Sequence, residues 1–152
     1  MDKIIKKVQQ DYIAAKLRDD ELELRNIRWD MHEGDYLITL DAVSCYRIPC
    51  EKLHIKLPEA AHSSVLGNLV KNDEGYRPAK YVGVLDGGLA LFKADDLSVI
   101  ASAKKAKIFT DIKGGTCRIR SEKTAIKFYD ADEKFVGVLL PIRQQPGKTY
   151  EL

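Results

Sequence analysis

The densest patterning of apolar and polar positions lies between residues 113 and 143. Thr116, Arg118 and Arg120 alternate with Cys117 and Ile119, and Ala125, Lys127 and Tyr129 alternate with Ile126 and Phe128. A period of two with β-branched and aromatic residues predicts half-buried strands. The breaks at 121–123 and 130–134 carry Ser, Asp, Glu and Lys, which is turn chemistry. Residues 135–140 form a continuous apolar run, the pattern of a strand covered on both faces, and Pro141 ends it. These segments predict an antiparallel meander on which the rest of the chain packs.

Upstream, residues 2–17 read as a helix. Ile4, Ile5, Val8, Tyr12 and Ala15 fall on one face with Ile13 and Leu17 beside it, and Lys3, Lys6, Lys7, Gln10 and Lys16 lie opposite. Asp2 is the expected N-cap. Residues 21–29 alternate strictly and predict a strand; 31–35 form a turn in which Gly34 supplies the unusual dihedral, and 36–40 return. Residues 41–49 and 53–57 predict further short strands, interrupted by Pro49. Pro58 opens a small and apolar stretch that predicts a short helix closing near Lys71 and Asn72. Residues 72–78 are the most polar link. Asp86-Gly87-Gly88 between 81–85 and 89–92 is a hairpin signal. Residues 93–109 predict a short helix capped by Asp95 or Asp96, although Ser98-Val99-Ile100 lowers its propensity. Residues 144–152 predict a loose tail. The order implies an α+β fold of antiparallel sheets with two or three helices, forming one domain over residues 1–143 with 72–78 as its candidate subdivision.

Composition narrows the class. At 152 residues and 45% hydrophobic content the chain can bury a sizeable core. No apolar run reaches the length of a membrane span, and the opening MDKIIKKVQQ carries an acid and too short an apolar segment for a secretory signal, so a cytoplasmic protein without membrane partners is expected. An odd set of three cysteines (Cys45, Cys50, Cys117) fits free thiols in a reducing compartment. Residues 1–76 hold 11 Lys/Arg and 14 Asp/Glu, whereas 77–152 hold 14 and 9. Most of the excess is Lys104, Lys105, Lys107, Lys113, Arg118, Arg120, Lys123 and Lys127, set against Asp111 and Glu122 alone. Such a stretch either faces a polyanion or is a solvated strand face.

Conventional catalytic signatures are sparse. Gly87-Gly88 and Gly114-Gly115 lack the spacing and the following Lys-Ser/Thr of a phosphate loop. Cys45, Cys50, His54 and His62 are zinc-ligand types, but their spacing matches no finger, and no metal or other cofactor is predicted. Asp130 and Asp132 begin like a calcium loop, yet Lys134 occupies a ligand position. His32 and His62 read as exposed loop residues. For an enzyme, Cys45, His54 and Asp41 are the least implausible cluster.

One resemblance appears at the meander. Lys127-Phe128-Tyr129 followed by Phe135-Val136-Gly137-Val138-Leu139-Leu140-Pro141-Ile142-Arg143 resembles the end of the bacterial DNA polymerase sliding clamp. There a strand pair with an acidic turn runs into a hydrophobic-Pro-hydrophobic-Arg terminus. Residues 37–48 are more faintly similar: Asp41 stands where the clamp has an Asp-Gly-His-Arg-type turn, without the Gly and His. The resemblance covers about 40 of the 152 residues, and this chain continues past Arg143. It implies helices packed on curved antiparallel sheets and lining a ring around duplex DNA. It also implies a cleft at Leu140, Pro141 and Ile142 for short peptides of replication or repair proteins. A bacterial clamp chain carries three domains and this one has length for little more than one, so encircling DNA would require a homo-oligomer. The resulting expectation is a non-catalytic DNA-associated clamp-like module, of phage or mobile-element origin, with Lys3, Lys6, Lys7, Lys104, Lys105 and Lys107 contacting phosphates. The alternative is a structural or interaction protein that assembles through β-sheet edges without nucleic acid.

Overall fold

The computed structural model describes residues 2–17 and 26–152. Residues 21–25 of the first predicted strand and the capping side chain of Asp2 lie outside what is described. The architecture is α+β: three α-helices and nine strands among the described residues, every strand pairing within a unit being antiparallel. Two compact units divide the chain, Met1–Asn72 and Asp73–Leu152.

In the first unit α1 (Asp2–Leu17) packs on β3 (Ser44–Pro49), and its buried residues Ile4, Ile5, Val8, Tyr12 and Ala15 are spaced as one helical face. Ile13 and Leu17, expected beside that face, are exposed. Strands β1 (Arg28–His32) and β2 (Asp35–Thr39) pair from Arg28↔Thr39 to His32↔Asp35. The expected five-residue turn tightens to Glu33-Gly34, both at positive φ (49° and 84°), the geometry whose twist matches a hairpin. The strand predicted from Asp41 starts at Ser44. The Asp41 carboxylate accepts the Val43 and Ser44 N–H groups at 2.9 and 2.8 Å and folds the backbone into a turn, with Ala42 at φ 61°.

Residues 53–57 are not a strand. The His54 N–H bonds the Gln9 side chain (2.7 Å) and the Lys56 carbonyl accepts the Tyr12 hydroxyl (3.0 Å), so α1 side chains take the backbone groups that a sheet would have used. The helix predicted from Pro58 is likewise divided. A 3-10 turn (Glu59–Ala61) precedes α2 (Val65–Lys71), because the Ser63 N–H bonds the Trp29 carbonyl at 2.8 Å and ties the intervening chain to β1.

In the second unit the strand order is β9-β8-β7-β4-β5-β6, comprising β4 (Arg77–Leu85), β5 (Leu89–Ala94), β6 (Leu97–Ser102), β7 (Thr116–Ile119), β8 (Ile126–Tyr129) and β9 (Phe135–Leu139). The predicted helix over 93–109 is overturned in its first half. Asp95-Asp96 is a hairpin turn with Asp95 at φ 53°, and β6 follows it; only α3 (Ala103–Thr110) is helical. Asp tolerates the left-handed conformation, and Val99 and Ile100 favour a strand over a helix. The cap is Ser102, whose hydroxyl accepts the Lys105 N–H at 3.3 Å. α3 buries Ala106 and Phe109 on the sheet, where Phe109 stacks on Phe128 with centroids 4.4 Å apart, and Phe92 meets Phe128 edge-on.

All four residues of β8 are buried, including Lys127, which alternation had placed on a polar face. Its ammonium reaches the Asp73 carboxylate at 2.7 Å and lies 4.4 Å from the Tyr76 ring centroid, so the charge is compensated while its stem packs in the core. Residues 144–152 form no helix or strand, yet they are not loose. Tyr150 is buried against Leu91 and Ile100.

The neighbouring Ile126 is fully buried and has no such acceptor to serve. Ile126→Lys is therefore expected to destabilise the protein by several kcal/mol, on the order of 3 or more, read as a fall in the urea midpoint. A wild-type midpoint would mean that the strand faces are reversed.

Candidate nucleic-acid and peptide interfaces

The lysines expected to meet phosphates lie on two helices, one in each unit. On α1, Lys3, Lys6 and Lys7 are exposed, and Lys7 donates to Asp11 at 2.8 Å, a bond that raises its pKa. On α3, Lys104 and Lys107 are exposed and Lys105 is half-buried. Lys107 pairs with Asp111 at 2.8 Å one turn along, which raises its pKa as well. Each helix thus carries an exposed lysine paired one turn along, with Lys3 and Lys6 also exposed on α1 and Lys104 on α3. The basic run from 104 to 127 is not a single face: Lys127 is inside, and the Arg118 guanidinium sits 4.7 Å from the Tyr129 ring centroid.

The residues assigned to a peptide cleft are brought together in part. Leu140 and Pro141 line a groove of about 810 Å³ with Glu122, Lys123, Arg143 and residues 144–148. Ile142 is absent from the lining; its N–H donates to the Ile100 carbonyl at 2.8 Å. The groove's far wall is the segment expected to be a tail.

The cysteines and histidines do not converge. Among the described residues no group of three or more His, Cys, Asp or Glu side chains is placed to hold a metal ion. Burial pushes the Cys45 thiol up to about 12, against a weaker opposing bond from the Ile38 backbone, and the Asp41 carboxylate pushes the same way. That thiol is a poor nucleophile at neutral pH. Burial also raises Cys117 to about 11. Cys50 is half-buried and donates to the Gly34 carbonyl at 2.8 Å.

His62 is exposed outside any helix or strand, as expected, yet its side chain is engaged. Its Nε2 lies 3.1 Å from the Asp30 carboxylate and its ring meets the Trp29 indole edge-on at 4.8 Å. Asp30 in turn accepts the Gly67 N–H at 3.2 Å. No local spacing signals this cluster, because its members come from β1, a loop and α2. His32 closes β1 and is half-buried beside Glu33.

No protein family, curated protein or solved structure matches the chain.

The thiols generate a pH prediction. An unfolded Cys45 or Cys117 ionises near 9, whereas the folded protein holds both protonated to higher pH. Their contribution to stability is full below about pH 9 and is lost as pH rises towards their folded values, since the unfolded state releases protons first. The urea midpoint should fall over that range. In the native state at pH 8, a thiol reagent should modify Cys50 before Cys45 or Cys117, as mass mapping of the labelled peptides would show.

Proposed function

We propose that this chain is a non-catalytic, clamp-like module that associates with duplex DNA through lysine-bearing helix faces and takes partner peptides at the groove beside Leu140 and Pro141. What carries the reading is a repeated order. In each unit a helix with exposed lysines is followed by a three-stranded antiparallel meander: α1 by β1-β2-β3, and α3 by β7-β8-β9. Lysine contacts to phosphates give sequence-independent, salt-sensitive affinity, which suits a protein that moves along a duplex. The groove combines Leu140, Pro141 and Pro146 with Lys123, Arg143, Lys148 and Glu122, a setting for a short peptide of a replication or repair protein. Encircling DNA would require a closed homo-oligomer.

A second reading, a structural protein that assembles through sheet edges without nucleic acid, is favoured by one observation: the edge strand β6 contains no charged residue.

Fluorescence anisotropy with a labelled duplex separates the two. The clamp-like reading expects weak binding without sequence preference, with log affinity falling linearly with log salt. Replacing Lys104 and Lys105 by Ala should lower affinity and reduce the slope by up to about 2. Leu140→Glu should leave that binding intact while removing capture of a polymerase-type peptide. Absence of any duplex binding at low salt would reject the reading.

A further inference from the structure

The β5-β6 hairpin has two apolar faces. Ala90, Phe92, Val99 and Ala101 alternate with Leu91 and Ile100, and all six are buried. α3 packs on β5 and β6, and residues 142–152 supply further cover. Tyr150 is buried against Leu91 and Ile100, with Val82, Leu85 and Leu89 packed around them. Its hydroxyl accepts the Gln145 N–H at 3.0 Å, which fixes the ring in place. Leu152 sits over Gly83, where an added Cβ would come within 2.9 Å of its side chain.

The same segment also occupies the outer edge of β6. The Ile142 N–H donates to the Ile100 carbonyl at 2.8 Å, and the Gln144 side-chain amide donates to the Ser98 carbonyl at 2.6 Å. Two residues apart, these are carbonyls of one parity, the ones an added strand would use. Between these anchors and Tyr150, residues 145–148 stand over the open groove. The segment is therefore a strap pinned at both ends and undercut in its middle.

The strand beneath lacks the usual protection. Edge strands avoid pairing with other chains through charges, prolines or bulges. β1 has Arg28, Asp30 and His32 at its own unit's edge, but β6 reads Leu-Ser-Val-Ile-Ala-Ser and pairs with β5 without a register shift. An uncharged strand is complementary to itself when antiparallel about Val99, with Ser98 opposite Ile100 of the second copy, which gives an isologous contact.

We infer that the strap over residues 142–152 is an intramolecular gate on a self-association surface, and that the partner it excludes is the β6 strand of a second copy. Release of the strap frees the carbonyls of Ser98 and Ile100 and uncovers the Leu91/Ile100 face, and two copies then join β6 to β6. The inference deepens the edge-assembly reading and does not depend on DNA binding.

The test uses the full chain with two strap variants, followed by light scattering and amide hydrogen exchange. Tyr150→Ala removes the apolar anchor. Ile142→Pro removes the N–H that serves Ile100 and leaves every core residue in place. The expected result is a monomeric wild type and a doubling of mass in a variant that keeps its circular dichroism, with amides of 97–102 still protected in the dimer. Adding Ser98→Lys should return the variant to a monomer, because pairing through the Ser98 and Ile100 carbonyls makes the two introduced lysines diagonal neighbours across the β6-β6 pair. Should Tyr150→Ala fail to fold, Ile142→Pro decides alone. A folded Ile142→Pro that stays monomeric overturns the inference, as does association that Ser98→Lys leaves unchanged. A wild type already dimeric through β6 would retain edge assembly and overturn the gate.

Discussion

The arrangement of the second unit follows from one constraint: the β5-β6 hairpin is apolar on both faces. A two-faced sheet needs two covers. α3 supplies the first, and its position explains why Phe92, Phe109 and Phe128 form one aromatic cluster. The strap supplies the second through Tyr150. Because that strap must leave β9 and reach the far side of β6, it passes the open edge on its way and satisfies two of its carbonyls. Face cover and edge protection thus come from the same residues.

Charge is handled by a related logic. Lys127 and Arg47 are buried cations, and each meets an acid: Lys127 meets Asp73, while Arg47 meets Asp35 at 2.8 Å and Glu33 at 3.3 Å. Pairing of this kind offsets desolvation and fixes geometry more than it adds net stability. Among the described residues every buried side-chain nitrogen and oxygen has a partner. Lys3, Lys6 and Lys7 on α1 and Lys104 and Lys107 on α3 are exposed, and the proposed DNA contact rests on them. The groove beside Leu140 is walled by the strap, so the proposed peptide site and the proposed gate share a structural element. Movement of residues 145–148 would change both.

Much of the fold was legible in the sequence. Alternation located β7 and β8, a continuous apolar run located β9, the Asp86-Gly87-Gly88 signal located the β4-β5 hairpin, and the 3.6 period located α1, because each depends on neighbours a few residues apart. Failures came where a distant group supplied what local pattern lacked. Gln9 and Tyr12 took the backbone groups of 53–57 and kept that alternating segment out of a sheet. Asp95 and Asp96, good helix caps, instead made a hairpin turn, because β5 offered Val99 and Ile100 a partner strand. Of the candidate sites, the lysines of α1 were legible as a helix face, those of α3 only as part of a basic stretch, and Leu140 and Pro141 by resemblance. The Trp29-Asp30-His62 cluster was not, since its members are joined only by packing.

The sequence by itself determined the α+β class, most strands and the basic face of α1, all of which follow from periodicities that the backbone imposes locally. Only the tertiary structure decided that Lys127 is buried, that Ile142 serves a strand edge instead of lining a cleft, and that residues 144–152 are a strap. Those outcomes depend on which long-range partner reaches a polar group or apolar face first. A polar, proline- and glycine-bearing segment such as QQPGKTYEL has no period of its own to reveal that partner.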